Sequence, residues 1–274
     1  MNEQMLLQFY GVRGSVPNPN KSKSIFGGNT SCLHLKVGSR SLVFDCGTGG
    51  ICLGQKLVTI GDSKQVDVLI SHVHLDHILG LLFFAPLKNP NFTVNIYSEA
   101  REGLSIRNQL DLIMQHPHWP VNTTSFKARV NYHTIAADAA FDLGDGLKVT
   151  SMRSNHPDLS TIFRLDYGSK SFVYALDYEH DQQSFDKLAR LCENADFVVY
   201  DASFTDEEYK TRQGWGHSTW QKGAELAILS GAKQIALAHL PFNKTDEQLL
   251  VLDEQVKLTN SRCFLAREGA VFEL

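Results

Sequence analysis

Apolar residues fall along this chain in short runs that close on polar residues, the pattern of buried strands. Strands are expected at Leu6 to Tyr10, Cys32 to Val37 and Ser41 to Phe44, the last two joined through Gly38 and Ser39 as a tight hairpin. Val66 to Ser71 reads as a further strand. A helix should then run from Asp76 towards Phe84, with Asp76 in its first turn, where a carboxylate is favourable. The second half repeats the plan. Leu147 to Met152, Thr161 to Leu165 and Phe172 to Ala175 are expected strands, the latter two linked at Gly168 and Ser169. Helix then alternates with strand through Phe197 to Tyr200 and Ile235 to Ala238, with one helix starting near Trp220. Hairpins followed by alternating helix and strand, twice over, fit two sheets packed face to face with helices outside. No short-period repeat is visible, which excludes a solenoid.

Composition adds bounds to this picture. A chain of 274 residues with 43% apolar content can bury one large core, and no linker, charge block or low-complexity stretch divides it. One domain over 1–274 is therefore expected, made of two pseudo-equivalent halves, roughly 1–135 and 136–274. The formal charge of -4, from 26 basic and 30 acidic residues, lacks the basic excess that nucleic-acid binders carry. A small substrate and no polymeric nucleic acid are expected on that ground. Met1 to Met5 lead directly into a strand without a signal-like segment, and no apolar run approaches the roughly 20 residues that span a bilayer. No membrane partner is expected. Five cysteines (Cys32, Cys46, Cys52, Cys192 and Cys263) are odd in number and lack CxxC spacing, which points to a reducing cytoplasm.

The chemistry concentrates where the Val66 to Ile70 run ends. Ser71-His72-Val73-His74-Leu75-Asp76-His77 places four potential metal ligands within six residues. Burying several unpaired histidines and a carboxylate would cost several kcal/mol unless a metal or hydrogen-bond partners met them, so a metal site is inferred over a solvated loop. Imidazole and carboxylate without thiolate suit zinc, with manganese or iron as rivals.

The same residues, His72-Val-His74-Leu-Asp76-His77, resemble the HxHxDH signature of the metallo-β-lactamase superfamily. That resemblance implies an α/β fold, a four-layer αββα sandwich holding one or two metal ions. It also implies three further ligands, and a candidate for each closes or follows an apolar run: His156 in Arg153-Ser154-Asn155-His156-Pro157, Asp177 after Phe172 to Leu176, and His239 after Ile235 to Ala238. By resemblance, His72, His74 and His156 hold one ion, Asp76, His77 and His239 hold the other, and Asp177 bridges them. Phe44-Asp45-Cys46-Gly47-Thr48-Gly49 matches the family's DxGTG turn, whose aspartate supports the ligands from behind. Aspartate and histidine at the second ion, where some β-lactamases use cysteine, argue against β-lactam hydrolysis.

Two further segments narrow the reaction. Gly11-Val12-Arg13-Gly14-Ser15, continuing to Gly27-Gly28-Asn29-Thr30, is similar to a branch that includes phosphodiesterases of small cyclic nucleotides. On its residues alone Arg13 is either a cation for an anionic group or a surface salt-bridge partner; the resemblance implies substrate contact for Arg13 and Asn29. Gly216-His217-Ser218-Thr219 resembles the GHST element shared with tRNA 3′-end processing enzymes, which implies that His217 reaches the scissile phosphate with Ser218 beside it; without the match Ser218 is simply a helix N-cap. Asp76 would then orient a metal-bridging hydroxide and His217 would neutralise the phosphate or protonate the leaving oxygen. The expected function is a dinuclear phosphodiesterase acting on a small phosphodiester, foremost a cyclic nucleotide. The alternatives are a tRNA-processing nuclease and a lactonase or thioesterase on the same metal platform. A homodimer is common among such relatives. The aromatic loop His116 to Pro120 is either a base-stacking cap or, preferred, a packed or dimer-forming loop.

Overall fold

In strand β1 (Met5–Gly11), Met5, Leu7 and Phe9 are buried while Leu6 and Gln8 face outwards, the alternation of a strand with one face on a core. The computed structural model describes residues 4–20, 25–61 and 63–274, so Met1 to Glu3 at the amino terminus lie outside the described residues. β1 pairs antiparallel with β2 (Cys32–Val37), and β2 with β3 (Arg40–Cys46) across the Gly38-Ser39 turn. Three parallel strands follow at the other side of β3: β4 (Gln65–Leu69), β5 (Thr93–Glu99) and β6 (Arg129–Ile135).

The second sheet begins with β7 (Ala140–Gly144), β8 (Leu147–Arg153), β9 (Thr161–Tyr167) and β10 (Lys170–Ala175) in antiparallel order. It continues in parallel through β11 (Phe197–Asp201), β12 (Ile235–Ala238) and β13 (Cys263–Leu265). The last strand, β14 (Val271–Glu273), crosses back and pairs with β1 through Leu7 and Phe272. The carboxyl-terminal half therefore supplies an edge strand to the first sheet.

The sheets face one another over an aromatic core in which Phe44 lies 5.0 Å from Phe172 and 5.4 Å from Tyr174 between ring centres. The outer face of the first sheet packs Val43, Val68 and Ile96 against Leu53 and Leu57 of helix Gly49–Ile60. The outer side of the second sheet is covered by helices Gln182–Leu191, Trp220–Ser230 and Asp246–Thr259. This is the four-layer αββα arrangement. No helix among the described residues is long and apolar enough to cross a membrane.

Two local expectations are corrected. The helix from Asp76 towards Phe84 is only a turn, Leu75–Ile78, which tightens to a 3₁₀ segment at Leu79–Phe83. Here the chain folds over the Asp45 turn so closely that a Cβ on Gly80 would lie 1.8 Å from the Gly47 carbonyl oxygen, and that contact overrides helical propensity. Strands β5, β6, β7, β13 and β14 are absent from the apolar pattern; most of β6 is partly or fully exposed, so its residues need not alternate sharply, and β13 and β14 are only three residues each.

Candidate metal centre

Parallel pairing brings the carboxyl ends of neighbouring strands to one edge of each sheet. Three chemically important residues leave their strands there in the left-handed region: Asp45 (φ 54°), Asp177 (φ 51°) and His239 (φ 58°). A non-glycine residue in that region costs roughly 1–2 kcal/mol, and such strain is retained where a side chain must be aimed.

Asp177 stands at the middle of the cluster. Its Oδ2 lies 3.4 Å from His72 Nε2 and 3.4 Å from His156 Nε2. Its Oδ1 lies 3.0 Å from His77 Nε2 and 3.1 Å from His239 Nε2. Asp76 Oδ2 completes the second group at 3.3 Å from His77 Nε2 and 3.2 Å from His239 Nε2. One donor atom from each of His72, His74, His156 and Asp177 lies within 4.8 Å of the others, and the same holds for Asp76, His77 and His239.

The inward atoms fit cations better than they fit one another. His72 Nε2, His77 Nε2 and Asp177 Oδ1 are buried without a hydrogen bond, even though His77 Nε2 is only 3.0 Å from Asp177 Oδ1. Proximity without alignment means that the donors converge on shared points between them. Leaving such groups unmet would be costly, and the donor chemistry suits divalent metal ions.

Electrostatics divide the two groups. Burial pushes His72 below its ordinary value and His156 down to about 3, which holds both rings in the neutral form that ligates metal. Burial works the same way on His77, but Asp177, Asp76 and Asp45 outweigh it and raise the ring well above its usual range. Burial would raise Asp76, but His77 and His239 hold it far below the carboxylate range.

A layer of hydrogen bonds orients the donors. Asp45 Oδ2 accepts from His77 Nδ1 at 2.7 Å, Ser71 Oγ at 2.8 Å and Tyr174 OH at 2.9 Å, while its Oδ1 accepts from the Ser71 backbone N–H at 2.7 Å. Ser203 Oγ lies 2.9 Å from His239 Nδ1 and donates to Asp201 Oδ1 at 2.9 Å. His74 Nε2 is 2.7 Å from Asp158 Oδ2, which leaves Nδ1 as the nitrogen free for an ion.

His217 sits beside this centre, its ring 4.7 Å from that of His239. Its Nδ1 donates to Asp201 Oδ2 at 2.9 Å, and the same oxygen accepts the Asp177 backbone N–H at 3.1 Å. Burial lowers the His217 pKa, but Asp201, with smaller help from Asp177 and Asp76, raises it to about 9. Asp201 and His217 also lie within 4.8 Å of Asp177 and His239, but both Asp201 oxygens are already committed, so it acts as an orienting group.

Three of the residues assigned to substrate contact are placed elsewhere. Arg13 is 1% exposed, donating to the carbonyls of Gly27 (2.8 Å), Pro241 (2.9 Å) and Lys244 (3.3 Å) and pairing with buried Asp246 at 3.5 Å. Asn29 spends its amide on Glu268 at 2.6 Å. Ser218 is fully buried, with Oγ 2.6 Å from Tyr200 OH and 2.9 Å from His180 Nδ1, and the N-cap of Trp220–Ser230 is Thr219. The opening segment reaches the centre through its backbone instead. Ser15 N–H donates to Asp76 Oδ2 at 2.7 Å, and Gly14 passes so close that a Cβ would lie 2.2 Å from His239 Nδ1.

Two cavities flank the cluster. One of about 280 Å³ is lined by Ser15, Phe204, Arg212, Trp215, His217 and His239, with Phe242 at its wall. The other, about 490 Å³, is lined by His72, His74, Arg101, Gln109, Arg153 and Asp158. The His116 to Pro120 loop lines neither; its Trp119 packs edge-on to Phe83 at 5.4 Å. Asp201, Ser203 and Asp158 escaped the reading of the sequence. Asp201 left a signal, since it closes the apolar run Phe197 to Tyr200 as Asp177 and His239 close theirs.

A family profile described as "Beta-lactamase superfamily domain" matches residues 40–240. Along 98% of the chain and 96% of the relative, the sequence is 21% identical to the ribonuclease Z of Gemmatimonas aurantiaca; the ribonuclease Z of Myxococcus xanthus is 25% identical over 98% and 97%. Among solved structures, the metallo-β-lactamase fold protein YhfI from Bacillus subtilis is similar at a TM-score of 0.75 (21% identity, 100% of both chains). The short form of human tRNase Z is similar at 0.68 (21% identity, 97% and 98%). These ribonucleases overturn the expectation that no polymeric nucleic acid is a partner. Net charge sums over the whole surface and does not report the charge at one local site.

Proposed function

The chain belongs to the beta-lactamase superfamily, and from that premise we propose that it is a metal-dependent phosphodiesterase that cleaves RNA in the manner of the tRNA 3′-processing nucleases. Metal-dependent hydrolysis is the coarser part of the reading and follows the superfamily match and the ribonuclease relatives; RNA as the substrate is the finer part. The observation that carries it is His217. Its Nδ1 is spent on Asp201, so Nε2 is the nitrogen available to the cavity that this ring lines beside His239. A phosphodiester presents that imidazole with a standing negative charge, whereas a lactone or thioester offers one only as the oxyanion forms.

His72, His74 and His156 would hold one divalent ion and Asp76, His77 and His239 the other, with Asp177 shared through its two oxygens. Zinc suits this donor set best, with manganese or iron as rivals. When bound, the ions supply Lewis acidity and lower the pKa of coordinated water towards neutrality. Asp201 fixes the orientation of His217 and favours its protonated form, so that Nε2–H donates to a non-bridging phosphate oxygen and then to the leaving oxygen. Asp76, anchored by the Ser15 N–H, orients the attacking group. The ribonuclease relatives favour this substrate over the cyclic nucleotides first expected. Five free cysteines support a reducing, cytoplasmic setting.

The test is incubation of zinc- or manganese-loaded protein with a precursor tRNA carrying a 3′ trailer, beside 3′,5′- and 2′,3′-cyclic nucleotides and a lactone, with Asp76→Ala as the blank. Endonucleolytic release of the trailer that vanishes in the blank supports the proposal. Turnover of cyclic nucleotides alone restores the small-substrate reading, and turnover of the lactone alone removes phosphodiester chemistry altogether.

A further inference from the structure

We propose that Trp215 and Phe242 form a nucleobase-binding subsite beside the metal centre, which takes the base of a nucleotide adjoining the scissile phosphate. The inference rests on the phosphodiesterase reading above and adds to it the group by which substrate is gripped.

Both side chains are large, apolar and open to solvent, at 61% exposure for Trp215 and 45% for Phe242. The loops that carry these two are held in place by buried charges. The carboxylate of Glu179 accepts the backbone N–H of Gly214 at 2.7 Å and of Gly216 at 2.8 Å, gripping the chain on either side of Trp215, and also takes the Tyr209 hydroxyl at 2.7 Å. Gly216 is wedged against the metal cluster, since a Cβ there would lie 2.4 Å from His156 Cδ2. At Phe242, the Arg13 guanidinium holds the carbonyls of Pro241 and Lys244, and Asn18 Nδ2 donates to the Phe242 carbonyl at 3.1 Å. Lys244 Nζ then ties this turn to Glu208 at 2.7 Å. Arg13 thus acts on substrate at one remove, as a positioning residue.

The cavity that Trp215 and Phe242 line also contains Ser15, His217 and His239, so its occupant is continuous with whatever lies at the metals. Its inner side carries the Phe204 ring with the Arg212 guanidinium 5.1 Å from the ring centre. Exposed aromatic faces beside a cation are a surface on which a base stacks, and a cavity of about 280 Å³ has room for one flat heterocycle.

Binding to the zinc-loaded protein tests the idea without turnover. Adenosine 5′-monophosphate should bind about tenfold tighter than ribose 5-phosphate by titration calorimetry, the order of one stacked base. Trp215→Ala should abolish that difference with zinc content unchanged, Trp215→Phe should restore most of it, and Phe242→Ala should lose part. Equal affinity of the wild-type protein for both ligands would overturn the subsite. So would a Trp215→Ala variant that weakens both ligands alike, which would mark the loop as a support for His156. A base preference that survives when precursor tRNA is not cleaved leaves the subsite standing and removes the nuclease reading; cleavage without base preference does the reverse.

Discussion

His217 Nδ1 and Asp201 Oδ2 are 2.9 Å apart, and because that oxygen also accepts the Asp177 backbone N–H, one carboxylate orients both the candidate acid and the residue that lies between the two groups of candidate ligands. Asp201→Asn keeps the shape but removes the charge that sustains a protonated His217. Turnover should fall by roughly 10–100-fold, the usual scale for groups that support a metal site from behind. Metal content by plasma mass spectrometry should stay within a fifth of wild type; loss of the ions in step with activity would refute the orienting role.

His217→Ala removes the acid itself. Turnover should fall by about 10²–10⁴, the range of general acid catalysis, with the same metal content and melting temperature. A mutant that loses metal as fast as it loses rate would make His217 a ligand instead.

Asp177→Ala should behave differently, because both groups of histidines face this one carboxylate. Uptake at both positions should drop, whereas His156→Ala should spare the Asp76, His77 and His239 group. Chelation should destabilise the wild-type protein by about 4 kcal/mol relative to zinc a thousandfold above its Kd, and Asp177→Ala should abolish most of that response in thermal melts. A mutant that still melts higher with zinc by the wild-type increment would contradict the shared position.

Arg13→Ala tests the corrected placement. Breaking a buried pair leaves Asp246 without its counter-charge and three carbonyls without their donor, and stability by urea unfolding should fall by about 3 kcal/mol. Affinity for ribose 5-phosphate, which lacks a base, should be unaltered in the folded fraction. A loss of phosphate affinity at full stability would return Arg13 to direct contact.

The sequence by itself determined the leading cluster of candidate donors. His72, His74, Asp76 and His77 are legible because contiguous residues at a strand end must share a location, whereas His156, Asp177 and His239 are reached through the family resemblance, each lying just past an apolar run whose strand carries it to the same edge. The two-sheet architecture followed from the same runs. Exposure, by contrast, has no local code. Whether Arg13 faces solvent, substrate or Asp246 depends on the Pro241 to Asp246 turn more than two hundred residues away. Only the tertiary structure decided that Asp201 orients two residues at once, that Glu179 and Arg13 fix the loops bearing Trp215 and Phe242, and that Gly14 lies against His239. These relations join segments distant in sequence, and packing, unlike periodicity, is set by all of them together.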